Sequence, residues 1–306
     1  MKASPARKAW HEVLGFAFDH RNPFFELAQQ TGADEARIAR LKNLFVEAVA
    51  QTESALNLHG SIGVLIDDRY GQDALNAATG RGWWIGRPVE LPGSVPLVFD
   101  HGRSIGTTLI AWPQEHVVKC LVQFHPDEPI ELRLEQEAQL RALYDATQAS
   151  GHELLLEVIP PKQASLTRGP DIVYRALKRI YNLGIYPEWW KLEPMDAAQW
   201  QAIDALIAER DPYCRGVVLL GLSAAVEQLK EGFRAAAQAA TCRGFTVGRT
   251  IFHEPGHAWL AGEIGDDELI RRVRQTFETL IAAWRSARGE PTTHEKSHHA
   301  HQEQPA

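Results

Sequence analysis

Short apolar runs alternate with longer amphipathic stretches along most of the 306 residues, and no other feature constrains the fold as strongly. The runs cover residues 13–18, 62–66, 83–89, 117–124, 153–159, 189–192, 216–220 and 244–247. Between them, apolar residues recur at helical spacing over 35–56, 132–150, 171–183, 197–209, 224–239 and 267–286. Strands separated by amphipathic helices are expected to lie parallel, since a parallel neighbour is reached only by a crossover. Eight strand candidates over about 250 residues predict a single-domain (β/α)8 TIM barrel. Residues 95–99 compete with 83–89 for the third strand. An open doubly wound sheet is the alternative, but no strand runs into the glycine-rich fingerprint of dinucleotide-binding sheets.

Composition narrows the class. The chain is 44% hydrophobic and 23% charged with a formal net charge of −7, which fits an ordinary soluble globular protein with a sizeable core. Net acidity argues against nucleic acid as a partner, because phosphates are bound by a basic face. Cys120, Cys214 and Cys242 are odd in number and lack metal-type spacing, so they suit a reducing cytoplasm better than a disulfide framework. No secretory signal is visible, and no run approaches the ~18 apolar residues of a membrane span. Residues 1–10 read as a short arm, 11–289 as the barrel, and 290–306, polar and non-periodic, as a disordered tail.

In such a barrel, chemistry collects at the carboxyl ends of the strands. Lysine is scarce beside arginine, yet Lys119 and Lys191 sit inside apolar runs. Alternation puts Lys191 and Glu193 on one face of the sixth strand, with Trp190 and Leu192 on the other. An ammonium is costly to bury, so Lys191 either pairs with Glu193 or Glu157 or serves as a desolvated amine. Such an amine can attack a ketone and form a Schiff base, with Lys119 as a neighbouring cation. Glu157 interrupts the fifth strand and is equally a salt-bridge partner or a general acid/base. Gly221, Leu222 and Ser223 close the seventh strand ahead of a helix expected near Ala224, with Ser223 as its N-cap. Gly248 and Arg249 close the eighth. Helix starts, glycines and an arginine at these two strands suit a phosphate monoester. His253-Glu254-Pro255-Gly256-His257 matches the zinc-peptidase pattern, but proline and glycine inside it predict a tight turn instead of a helix.

Eight segments together resemble one family: Phe18-Asp19-His20-Arg21, Ile66-Asp67-Asp68-Arg69-Tyr70-Gly71, Arg87-Pro88-Val89-Glu90, Lys119-Cys120-Leu121-Val122, Leu156-Glu157, Lys191-Leu192-Glu193-Pro194, Gly221-Leu222-Ser223 and Gly248-Arg249. Over roughly residues 12–285 the chain resembles the 2-deoxy-5-keto-gluconate 6-phosphate aldolase domain of bacterial myo-inositol catabolism. That domain is found alone or fused behind a sugar kinase, and is itself similar to the class I tagatose-bisphosphate aldolases. The resemblance implies a Schiff-base lysine at Lys191, supported by Glu157, Lys119 and Asp19, with no metal and no cofactor. It implies phosphate binding at Gly221, Leu222, Ser223, Gly248 and Arg249, and a substrate carboxylate held by Arg21, Arg69 or Arg87. The implied substrate is a phosphorylated keto-sugar acid cleaved to dihydroxyacetone phosphate and malonic semialdehyde. A homo-oligomer and functional association with a sugar kinase are compatible with it. Two other readings stay open: a class I aldolase for another ketose phosphate, of tagatose-bisphosphate or sulfo-sugar type, and a non-catalytic barrel that binds a sugar phosphate.

Overall fold

Eight strands close into one parallel barrel in the order β1 to β8: Val13–Ala17, Ile62–Leu65, Trp84–Pro88, His116–Gln123, Leu154–Ile159, Trp189–Leu192, Gly216–Leu220 and Cys242–Val247. The computed structural model describes residues 9–102, 104–161, 166 and 169–290. Helices α1 (Asn22–Thr31) and α2 (Arg37–Leu56) follow β1, α3 (Gln72–Ala78) follows β2, and α4 (Ile105–Leu109) follows β3. Then come α5 (Ile130–Ser150), α6 (Ile172–Asn182), α7 (Ala197–Arg210) and α8 (Val226–Ala236), one after each strand, and finally α9 (Arg249–Leu260) and α10 (Asp266–Ala287). The fold is a (β/α)8 TIM barrel. Of the expected arm only residues 9 and 10, and of the expected tail only Glu290, fall among the described residues.

Local chemistry explains several boundaries. A reciprocal cap starts α7: Asp196 Oδ1 accepts the Gln199 N–H at 2.8 Å, and Gln199 Oε1 accepts the Asp196 N–H at 2.9 Å. The third strand is the 83–89 run, and residues 95–99 lie in the loop after it, where Phe99 bridges back to Glu90.

Strand alternation sorts the barrel into two environments. Outward residues such as Phe16, Val64, Ile85 and Val118 join the large core beneath the helices. Inward ones build a separate column of Val13, Ala17, Leu65, Trp84, Val117, Leu155, Trp189 and Val218. Trp84 meets Trp189 edge-on with ring centroids 5.4 Å apart, and the Trp189 indole N–H donates to Glu153 at 2.7 Å. Toward the carboxyl ends the inward positions become charged.

Two expectations need correction. The helix after β7 begins at Val226, not near Ala224, and its cap position is Ala225, not Ser223. Leu222 and Ser223 instead take left-handed backbone angles, φ 46° and 60°, and Ala224 closes that turn on the Gly221 carbonyl at 2.9 Å. The 253–257 motif is not a turn but lies inside α9, with Pro255 mid-helix. Proline there forfeits one helical hydrogen bond, at a cost of about 3 kcal/mol. Burial offsets that cost: Ile251, Phe252, Pro255, Ala258 and Trp259 are all buried, and Phe252 stacks on Phe24 at 4.4 Å. Gly256 faces Leu41 and Phe45 of α2, where even a Cβ would make only ordinary contact, at 3.6 Å from the Leu41 side chain. The motif's Glu254 pairs with Arg272 on α10 at 2.8 Å.

Candidate active site

The inward charges converge at the carboxyl end of the barrel. Lys119 of β4 places its Nζ 2.8 Å from Glu90 and 3.1 Å from both Asp19 and Glu157. Lys191 of β6 stands opposite Glu157 in the β5–β6 register, and its Nζ lies 3.2 Å from Glu157 Oε1. Arg21 adds a contact to Glu90 at 3.3 Å. Three carboxylates (Asp19, Glu90, Glu157) thus face three basic groups (Lys119, Lys191, Arg21), all buried. Of the residues expected to carry the chemistry, all four come together: Lys191, Glu157, Lys119 and Asp19.

Mutual pairing decides their charges. Burial by itself would strip the proton from Lys119, but Asp19, Glu90 and Glu157 reverse the balance and hold it well above the ordinary lysine range. Burial would likewise raise the Asp19 carboxyl, yet Lys119, His20, Lys191 and Arg21 hold it far below the usual range. Glu157 is kept low against burial by Lys191 and then Lys119. The site therefore contains a fixed cation and ionised carboxylates beside the Lys191 amine. Glu157, in contact with both lysines, can accept a proton. His20 is pushed down to about 4 by burial, with Lys191, Lys119 and Arg249 adding to the effect and Asp19 opposing it. Its neutral imidazole meets Phe252 edge-on at 5.5 Å.

Of the residues expected to hold phosphate, Gly248 packs against His20, the neighbour of Asp19. Ser223 and Arg249 share a recess of about 390 Å³ with Pro23, Glu26, Leu27, Gln30, Thr250 and His253. Gly248 precedes the first residue of α9, and a Cβ there would sit 2.4 Å from the Ala17 carbonyl and 2.8 Å from His20, so only glycine lets β8 end this close to β1. The first N–H groups of a helix have no partner inside it, which makes the start of α9 an anion-favouring element. Gly221 is buried, whereas Leu222 is exposed at the turn.

The three arginines separate. Arg21 is buried in the cluster, 3.8 Å from Asp100, and its Nε makes no hydrogen bond among the described residues. Arg87 shares the outward parity of Ile85. It forms a two-pronged pair with Asp68, its Nη2 reaching Oδ2 at 2.8 Å, and lies over the Trp112 ring at 3.9 Å. Arg69 is exposed, with its guanidinium 4.0 Å from Glu35. Only Arg21 joins the catalytic candidates.

Two residues of the site carried no assigned role in the sequence reading. Glu90 lies two residues past β3 and keeps the parity of inward Trp84, a signal that places it beside Lys119. Lys42 lies on α2 and is wholly buried. It donates to the carbonyls of Phe18 at 2.8 Å and His20 at 3.0 Å and pairs with the Asp67 carboxylate. Its spacing from Ile38, Leu41, Phe45 and Val49 puts it on the apolar stripe of α2, which is the pattern that marks it.

Comparison with solved structures finds barrels of the same fold. A fructose-bisphosphate aldolase from Plasmodium falciparum superposes with a TM-score of 0.64 at 12% identity, covering 92% of this chain and 93% of that one. The Corynebacterium glutamicum protein Cgl0159 gives 0.58 at 17% identity, covering 92% and 88%. A fructose-bisphosphate aldolase from Slackia heliotrinireducens gives 0.53 at 13%, covering 87% and 86%. Likeness at such identities speaks to the fold alone. No curated protein matches the sequence. The model of DUF2090, described as an uncharacterized protein conserved in bacteria, matches residues 1–288, and the chain belongs to that family.

Proposed function

We propose that this protein is a class I aldolase that cleaves a phosphorylated keto-sugar through a Schiff base on Lys191. The observation that carries the reading is the Lys191 amine inside the barrel, 3.2 Å from a carboxylate that also touches a second, permanently charged lysine. In the reaction, Lys191 Nζ attacks the substrate ketone and water leaves, giving a protonated imine. Glu157 takes the proton of the hydroxyl two carbons from the imine carbon. The carbon–carbon bond between them breaks, its electron pair moves into the enamine, and an aldehyde departs. Protonation of the enamine and hydrolysis return the second product and the free amine. Lys119 keeps positive charge beside the reacting oxygen, and Asp19 balances it.

The substrate we assign is 6-phospho-5-dehydro-2-deoxy-D-gluconate. Lys191 would take its C5 ketone, and cleavage of C3–C4 would yield dihydroxyacetone phosphate and malonic semialdehyde. Ser223, Gly248 and Arg249 would receive the phosphate, with Gly221 and Leu222 shaping the turn, and Arg21 would meet the carboxylate. A second reading, a ketose phosphate without a carboxylate, is favoured by the exposure of Arg69 and the pairing of Arg87 with Asp68, which leave one arginine in the cluster for that end.

Incubation with dihydroxyacetone phosphate followed by borohydride should yield a reduced adduct that peptide mass spectrometry places on Lys191. Lys191→Met should lose the adduct and cut turnover by at least about 10³-fold. An adduct elsewhere, or none, overturns the imine assignment. Comparing kcat/KM for the inositol-derived phosphate with ketose bisphosphates decides the substrate, and equal or better turnover of the bisphosphates removes the acid-sugar reading.

A further inference from the structure

We propose that Lys42, which lies outside the barrel and touches no reacting group, is a positioning residue that aims Asp19 at Lys119. This inference rests on the aldolase reading of the same site. Lys42 projects from α2 into the junction where β1 and β2 end. Its three contacts are the carbonyls of Phe18 and His20 and the Asp67 carboxylate. The two carbonyls belong to the residues immediately before and after Asp19. Both peptide oxygens that flank Asp19 are held by this one side chain of α2, which fixes the backbone from which the Asp19 side chain, sharing the inward parity of Ala17, reaches to within 3.1 Å of Lys119.

Each partner is itself held. Asp67 is wholly buried and accepts the Tyr70 N–H at 2.9 Å, so the end of β2 is tied to its own following turn. The Lys42 ammonium also lies over the Phe24 ring at 4.5 Å, which joins the start of α1 to the same point. One ammonium thus pins two strand ends and a helix start around the segment that carries Asp19, His20 and Arg21. Among the described residues no hydrogen bond or ion pair joins Lys42 to Asp19 or Lys119, so its hold on the site runs through the backbone on either side of Asp19.

A purely structural buried pair can be exchanged for apolar residues with little loss, and this separates the two roles. The test compares the wild type with the double variant Lys42→Met/Asp67→Leu and with Lys42→Met alone, using dihydroxyacetone phosphate as the probe. Three readouts are taken: thermal midpoint, borohydride adduct on Lys191, and exchange of the carbon-bound hydrogen of dihydroxyacetone phosphate with D2O. Exchange requires proton transfer at the imine but no aldehyde partner. In the double variant the midpoint should recover most of what Lys42→Met loses and the adduct should still form. Exchange should remain at least about tenfold slower than wild type. Exchange that returns to the wild-type rate together with the midpoint overturns the positioning role. If both variants fail to fold, Asp19→Asn decides: unchanged exchange in that variant also overturns it, because there would be no aim to set. Wild-type protein that forms no adduct and supports no exchange defeats the aldolase reading itself, a result distinct from either.

Discussion

Among the described residues three lysines are buried, and each answers the cost of burial differently. Lys119 is held charged by three carboxylates, Lys42 is pushed down by burial against the opposing pull of Asp67 while donating to two carbonyls, and Lys191 shares Glu157 with Lys119. Glu157 is the group the two inward lysines have in common, so its replacement tests the division of labour. Glu157→Gln keeps the shape and removes the proton acceptor. The Lys191 adduct should still form while cleavage slows by about 10²–10⁴-fold. A variant that cleaves at the wild-type rate would move the base to Asp19.

Histidine burial supplies a pH prediction at the same scale. His116, buried at the start of β4 against Thr79, is pushed down to about 4 chiefly by burial. The unfolded chain protonates it near 6.5. Between pH 6.5 and 4 the unfolded state therefore binds more protons, and stability falls as pH falls through that window. The contribution is fully present above 6.5, and for His116 the loss is on the order of 3 kcal/mol at most. Chemical denaturation across pH 4–7 should show this slope, and His116→Gln should reduce it, leaving the share due to His20, which is pushed down in the same way. An unchanged slope in the variant would place the linkage at other groups.

Among the elements, strands were readable to within a residue or two, because an inward or outward apolar run has no other economical place in a barrel. Parity along β3 explains where the reading of single residues stopped. Glu90 shares the face of Trp84 and enters the site, while Arg87 lies on the other face and is engaged by Asp68. Helix α9 shows the opposite limit. Pro255 and Gly256 argue locally for a turn, and burial of the surrounding side chains against α1 and α2 overrides them. At the barrel seam, Gly244 has φ 149°, and a Cβ there would lie 1.9 Å from the Val13 carbonyl. Gly244→Ala should cost about 3 kcal/mol or more, read as a lowered denaturation midpoint, because backbone rather than a movable side chain blocks it. A midpoint within about 0.5 kcal/mol of wild type would contradict the closeness of that seam.

Across the whole molecule the barrel interior divides into an apolar column toward one end and a charged cluster toward the other. Among the described residues no helix is long and apolar enough to cross a membrane. The division predicts that stability and chemistry can be perturbed separately. Trp189→Ala empties a buried site and leaves Glu153 without its indole donor, so about 3–5 kcal/mol should be lost. Below its lowered midpoint the variant should still form the borohydride adduct on Lys191, two residues further along β6. Loss of the adduct in folded variant protein would show that the column also sets the position of the amine.

The amino-acid pattern alone determined the strand count, the parallel barrel and the two inward lysines, because periodicity and the cost of burying charge are local properties. Which charges meet was decided only by closure of the barrel. Lys119 finds carboxylates just past β1 and β3 and on β5, and Lys42 reaches across from a helix to two strand ends. Such pairs join residues up to about a hundred positions apart in sequence, so no local spacing encodes them. They follow from strand tilt and helix packing, which bring carboxyl ends together at one pole and decide which of several equally polar residues face inward.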